Sequence, residues 1–254
     1  MNLLARICPT QPLKYLKWFD IVVVTALLFG QFIYRSTELY LASLSPSTTT
    51  AVAVADATSK TANDGAAYSS NLELQLLMLA LTVVYLLFRR FDFKQLPIRL
   101  SWSVLFWVPF IFAVMGILAN IVTTLSGEYN YFDPQLWKYI DLLEIFRKFT
   151  DLTLMMILYA LLNGFYEEFF FLGLLTSVKE KYKWWVLLYS MIIRVSFHTY
   201  HGMLWALTIG VGFGLLYYCL YKYKVKNLLP FFLAHALADI YGSSLMYVLI
   251  SWRK

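Results

Sequence analysis

Apolar residues run along this chain in blocks long enough to cross a bilayer. A transmembrane helix needs about 20 such residues at a rise of about 1.5 Å each. Windows near that length fall at 18–34, 72–88, 102–125, 152–178, 184–200, 203–221 and 228–250. They predict an all-α fold, a polytopic membrane helical bundle of about seven transmembrane helices, with six to eight as the range. The first window, WFDIVVVTALLFGQFIY, has the apolar core of a signal peptide but no small-residue cleavage site, and it ends in bulky Phe32, Ile33 and Tyr34. That predicts a retained helix.

The polar breaks between blocks have two characters. Residues 36–71 are rich in Ser, Thr, Ala and Asp with few large apolar side chains, so they predict a flexible external loop that buries too little surface to fold alone. The stretch EYNYFDPQLWKYIDLLEIFRKFT instead carries Leu136, Ile140, Leu143 and Phe146 near helical spacing among charges, the pattern of an amphipathic helix at the membrane interface. No internal repeat is evident, and residues 1–254 are expected to form a single integral membrane domain.

Composition agrees: 60% of residues are hydrophobic and 14% charged. The net charge of +6 does not indicate nucleic acid, because the lysines and arginines lie in short clusters between apolar spans, where cytoplasmic retention accounts for them. With the N-terminus cytoplasmic, inside segments carry thirteen Lys and Arg and outside segments seven, a bias that predicts N-in and C-out. The expected partner is the lipid bilayer. Cys8 and Cys219 stand alone, without disulfide or zinc-site spacing.

Against this hydrocarbon background three polar clusters stand out: Glu167 and Glu168 in NGFYEEFFFLGLL, Arg194 and His198 in IIRVSFHTYHG, and His235 with Asp239 in FFLAHALADIYG. A charged side chain at bilayer depth costs about 2.5–3.5 kcal/mol on insertion scales, so these positions are candidate functional residues. Counted from the flanking lysines, Glu167, His198 and His235 lie roughly 18, 22 and 14 Å from one face. Spacing of four places Arg194 with His198, His235 with Asp239, and Asn163 with Glu167 on shared helix faces. Each cluster also has a plainer reading. Glu168 can be a structural partner of Arg194, Asp239 an orienter of His235, and His201 a solvated group just before Gly202.

A carboxylate and two imidazoles can hold a water, with glutamate as base and histidine fixing the water or the developing oxyanion. The same groups can ligate zinc or another divalent cation, with Glu167, His198 and His235 as ligands. Both routes lead to hydrolysis. A Ser-His-Asp arrangement is disfavoured, because Ser196 lies two positions from His198 on one helix and faces elsewhere.

The succession Glu-Glu, Arg-x-x-x-His-x-Tyr-x-Gly and His-x-x-x-Asp on hydrophobic helices resembles the CAAX prenyl protease and bacteriocin-processing (Abi) family of intramembrane proteases, over a protease-like core of residues 150–245. The resemblance implies an intramembrane endopeptidase with a glutamate-activated water, with Glu167, Glu168, His198, His235 and Asp239 as catalytic residues and Arg194 in support. It implies a peptide or small-protein substrate and a bacterial cell membrane, with bacteriocin processing or self-immunity as the setting. One departure is clear. The family's first motif commonly continues to arginine, and here that position is Leu172, followed by Gly173. Arg194 is the expected substitute, and catalytic competence turns on it. The alternative is a non-catalytic immunity or interaction protein that binds a bacteriocin-like peptide. A proton-coupled transporter ranks last, since its usual repeated, Gly/Pro-interrupted halves are absent.

Overall fold

The computed structural model describes residues 11–44 and 65–249, and among these the chain is helical with no β-strand. Helix α1 is Trp18–Ser43, α2 Gly65–Phe88 and α3 Ser103–Leu125. A short helix, α4, covers Leu142–Thr150, and α5 covers Leu154–Leu174, with a wider π-helical final turn over Phe169–Leu174. Helix α6 is Lys183–His198, α7 Met203–Val225, α8 Leu229–Tyr241 and α9 Leu245–Leu249.

Among the described residues five helices are long and apolar enough to cross a membrane: α1, the Tyr68–Phe88 part of α2, α3, α5 and α7. The protein is an all-α integral membrane protein. Helix α6, at 16 residues, and α8, at 13, are shorter than the windows that announced them, rising about 24 and 20 Å. The window at 228–250 breaks at Gly242, whose φ of +76° is a left-handed conformation that a side chain disfavours. The expected 36–71 loop is narrower at both ends. Residues 36–43 continue α1 through good helix formers such as Glu38 and Leu41, and 65–71 already belong to α2. Residues 45–64 of that loop, like Cys8, lie outside the described residues.

The chain divides into two compact units, Met1–Ile98 with Tyr166–Leu228, and Arg99–Phe165 with Leu229–Lys254. In the first, α1 packs along α6, with the Tyr189 hydroxyl donating to Thr25 Oγ1 at 2.8 Å. Helix α7 approaches α6 backbone to backbone at Gly210, where an added Cβ would lie 2.6 Å from the Val195 nitrogen. Small residues at such crossings bring membrane helices into van der Waals contact, the main attraction available where lipid is as apolar as the side chains. In the first turn of α1, buried Asp20 receives Arg89 Nε at 2.6 Å and the Tyr85 hydroxyl at 2.7 Å, which joins α1 to α2.

In the second unit α8 packs on α3, and α5 meets α8 at Gly164, where an added Cβ would lie 3.0 Å from the Ala236 nitrogen and closer still to the Phe232 carbonyl oxygen. Buried Leu136 and Met246 pack with Tyr129, Tyr131 and Leu249. The amphipathic stretch forms a 3-10 turn, Pro134–Tyr139, followed by α4, which Asp141 caps by accepting from the Leu143 nitrogen at 2.9 Å. Leu142, Leu143, Phe146 and Phe149 are exposed on α4, as an interfacial helix requires.

Candidate active site

The first unit gathers Glu167, Glu168, Arg194 and His198. Both glutamates are buried, Glu168 completely. They sit at the end of the α-helical part of α5, immediately before the π turn, in which Leu175 N bonds the Phe170 carbonyl oxygen at 2.9 Å. Such turns interrupt the regular ladder and recur at functional positions. Arg194, on α6, donates through Nη2 to Glu168 Oε2 at 2.6 Å, and its Nη1 lies 3.8 Å from Glu167 Oε2. The guanidinium also stacks over Phe171, its carbon 3.9 Å from the ring centroid. One permanently charged group therefore serves two carboxyl groups.

Aromatic side chains wall this cluster. Phe29 of α1 lies 5.6 Å from Tyr166, 4.9 Å from Phe170, 5.1 Å from Phe171 and 4.8 Å from Phe197 by ring centroids. The Tyr166 hydroxyl donates to the Leu28 carbonyl oxygen, so the residue before the glutamates is tied to α1. These rings surround the carboxyl groups with apolar surface and strengthen the charge interactions there.

His198, one helical turn after Arg194, is buried, and its Nδ1 lies 2.8 Å from the Arg194 carbonyl oxygen. A carbonyl oxygen only accepts, so Nδ1 carries the proton, and in the neutral ring Nε2 is then the acceptor. The turn after His198 is pinned to α1: Ser36 Oγ lies 2.9 Å from Thr199 Oγ1 and accepts from Tyr200 N at 3.0 Å. His201 is exposed on that turn, before Gly202 with its φ of +86°. Ser196 donates to the Ile192 carbonyl oxygen at 2.7 Å, an exposed bond along its own helix.

The second unit holds His235 and Asp239 on α8. His235 Nε2 lies 3.7 Å from Asp239 Oδ1, and Asp239 Oδ2 accepts from Asn163 Nδ2 at 2.9 Å. The close approach at Gly164 brings α5 near enough for that bond. Asp239 is thus held between a histidine on its own helix and an amide on α5.

Several contacts had no signal in the sequence reading. The Arg194–Phe171 stack and the Asn163–Asp239 bond depend on which helices pack together, and no spacing rule reports that. Asp20 and Arg89, each near the end of an apolar window, form a buried pair that no spacing rule announces.

Comparison with curated proteins and with solved structures gives no match. Residues 149–241 match the family model described as Rce1-like, type II CAAX prenyl endopeptidase. That interval begins just before α5 and ends with α8, so it contains both glutamates, Arg194, all three histidines and Asp239. Over residues 149–241 the chain is similar to the CAAX prenyl endopeptidases that this family model describes.

Proposed function

We propose that the protein is an intramembrane endopeptidase in which Glu167 takes a proton from the water that attacks a peptide carbonyl. The observation that carries this reading is the unequal sharing of Arg194: Glu168 holds it at 2.6 Å, and Glu167 stands back at 3.8 Å. Glu168 is then the anchoring partner and Glu167 the carboxyl group assigned to proton transfer. Arg194 stands in from α6 for the arginine that Leu172 replaces. His198, with Nδ1 engaged by the Arg194 carbonyl oxygen, offers Nε2 as an acceptor for the water's second hydrogen. His235, oriented by Asp239, is assigned to the developing oxyanion.

A divalent cation is the competing route, with Glu167 and His198 as donors and an activated water as the chemistry it would supply. The donor types suit zinc, and His198 has the tautomer a ligand needs. The guanidinium between the two carboxyl groups favours the metal-free form, since it already supplies positive charge and repels a second cation. The substrate class we assign is a peptide or small protein presented at the membrane, either prenylated or leader-bearing, with bacteriocin processing or self-immunity as the setting. The proposed orientation is N-terminus cytoplasmic in a bacterial membrane.

The test is cleavage of a peptide library by purified protein in detergent, compared with Glu167→Gln. Wild-type cleavage that disappears in the variant supports the reading, and an equally active variant removes Glu167 as the base. Leu172 favours one second reading, a non-catalytic protein that binds a bacteriocin-like peptide. Saturable peptide binding, unchanged in Glu167→Gln and without cleavage by either form, would establish it instead.

A further inference from the structure

Arg194 is satisfied on one edge of its guanidinium. Nη2 and Nη1 face the glutamates, but Nε, on a side chain 3% exposed, has no hydrogen-bond partner among the described residues. A buried N–H without a partner is costly and rare. Arg194 lines a cavity of about 20 Å³, walled also by Ser190, Tyr218 and Gly214, that reaches the surface at Glu180 and Lys222. Gly214 leaves the space open: a Cβ there would sit 3.3 Å from Arg194 Cδ and 3.8 Å from Nε.

A polar cavity holds a water once it offers about 10–15 Å³ and two to four hydrogen-bonding partners. Here the volume is sufficient, and Arg194, Ser190 and Tyr218, each with a polar group, line one space. We infer that this cavity is a hydration site, in which an ordered water accepts from Arg194 Nε–H and exchanges with solvent at the Glu180–Lys222 end. The guanidinium then carries carboxyl groups on one edge and water on the other. This inference does not depend on peptide cleavage.

Arg89 is the internal control, because its Nε donates to Asp20 at 2.6 Å and it does not line this cavity. Full-length protein labelled with 15N-arginine, its signals assigned with Arg194→Lys and Arg89→Lys, gives the Nε–H exchange rate of each group. Arg194 should exchange at least about tenfold faster than Arg89, as solvent contact against full burial requires. Gly214→Ala should slow it towards the Arg89 rate by filling the space beside Nε. Ser190→Val serves the same purpose, by removing one of the water's partners, where Gly214→Ala fails to fold. Equal wild-type rates overturn the inference, and so does fast Arg194 exchange that a folded cavity variant leaves unchanged.

Discussion

Two buried arginine–carboxylate clusters lie in the same compact unit, and they are built to different rules. Asp20 takes Arg89 through two nitrogens, at 2.6 and 3.2 Å, and also accepts from the Tyr85 hydroxyl at 2.7 Å and the Lys17 nitrogen at 2.9 Å. One cation meets one anion, and the anion's oxygens are crowded with donors. Arg194 instead meets two carboxyl groups, 2.6 and 3.8 Å away, and its Nε has no hydrogen-bond partner among the described residues. A saturated pair fixes helices together, whereas the unequal cluster holds one carboxyl group closely and the other at a distance from the same cation.

Substituting the acid on each side should break this comparison in opposite directions. Glu167→Gln should lose peptide cleavage by three orders of magnitude or more, about the upper part of what a positioned base contributes, while melting close to wild type. Asp20→Asn should leave Arg89 uncompensated, cost about 3–5 kcal/mol of stability, and reduce activity only in proportion to the unfolded fraction. Melting curves and initial rates on the same preparations check both. A Glu167→Gln protein that unfolds like Asp20→Asn would show that the two clusters are alike.

The histidines extend the contrast to residues that share a segment but not an environment. His198→Ala should lower activity about 10²–10⁴-fold, the range for a positioned acid–base group, and His201→Ala should have little effect because its side chain is exposed. Equal losses at both positions would remove the role assigned to the His198 ring.

Arginine substitutions come next in size. Arg194→Leu and Arg89→Leu should each destabilise by about 3–5 kcal/mol, since each leaves a buried carboxyl group without its charge partner. Only one of them should be rescued. Leu172 lines the same cavity as Arg194. Leu172→Arg should therefore recover part of the Arg194→Leu loss and none of the Arg89→Leu loss. Thermal stability of the two double variants decides it, and no recovery in either means that position 172 cannot supply the charge.

The same two clusters show what the sequence made legible. Glu167, Glu168 and Arg194 interrupt apolar runs, and a charge deep inside hydrocarbon is a signal that single-chain reading detects. The spacing of four also placed the His198 ring against the turn that carries Arg194. Asp20 and Arg89 escaped because each lies within a few residues of a span end, where a charge ordinarily needs no partner; only the packing of α1 against α2 shows that it has one. Helix existence was legible from block length. The π turn after Glu168 was not, because it leaves the apolar pattern unchanged while altering its backbone; the break at Gly242 did have a signal, the Gly242-Ser243-Ser244 run inside the last apolar window.

The smallest effect belongs to a third ion cluster, centred on Glu180, which lies outside the membrane-crossing helices. Glu180 lies 2.8 Å from Lys183 Nζ and 3.1 Å from Lys222 Nζ, and hydrogen bonds from these two ammonium groups hold its carboxyl below the usual carboxylate value. Because the folded-state value is depressed, its stabilising contribution is present above the ordinary carboxylate value of 4.5 and is lost as pH falls below it. The group is exposed, so water and salt screen most of that contribution. Glu180→Gln should therefore leave the melting temperature at pH 7 nearly unchanged and slightly flatten its decline below about pH 4.5, an effect that should fade further in about 1 M salt. The same geometry that gives two cations to one carboxylate would matter far more at the burial of Asp20. A loss at pH 7 comparable to that of Asp20→Asn would mean that partner count, rather than exclusion of water, sets the strength of these clusters.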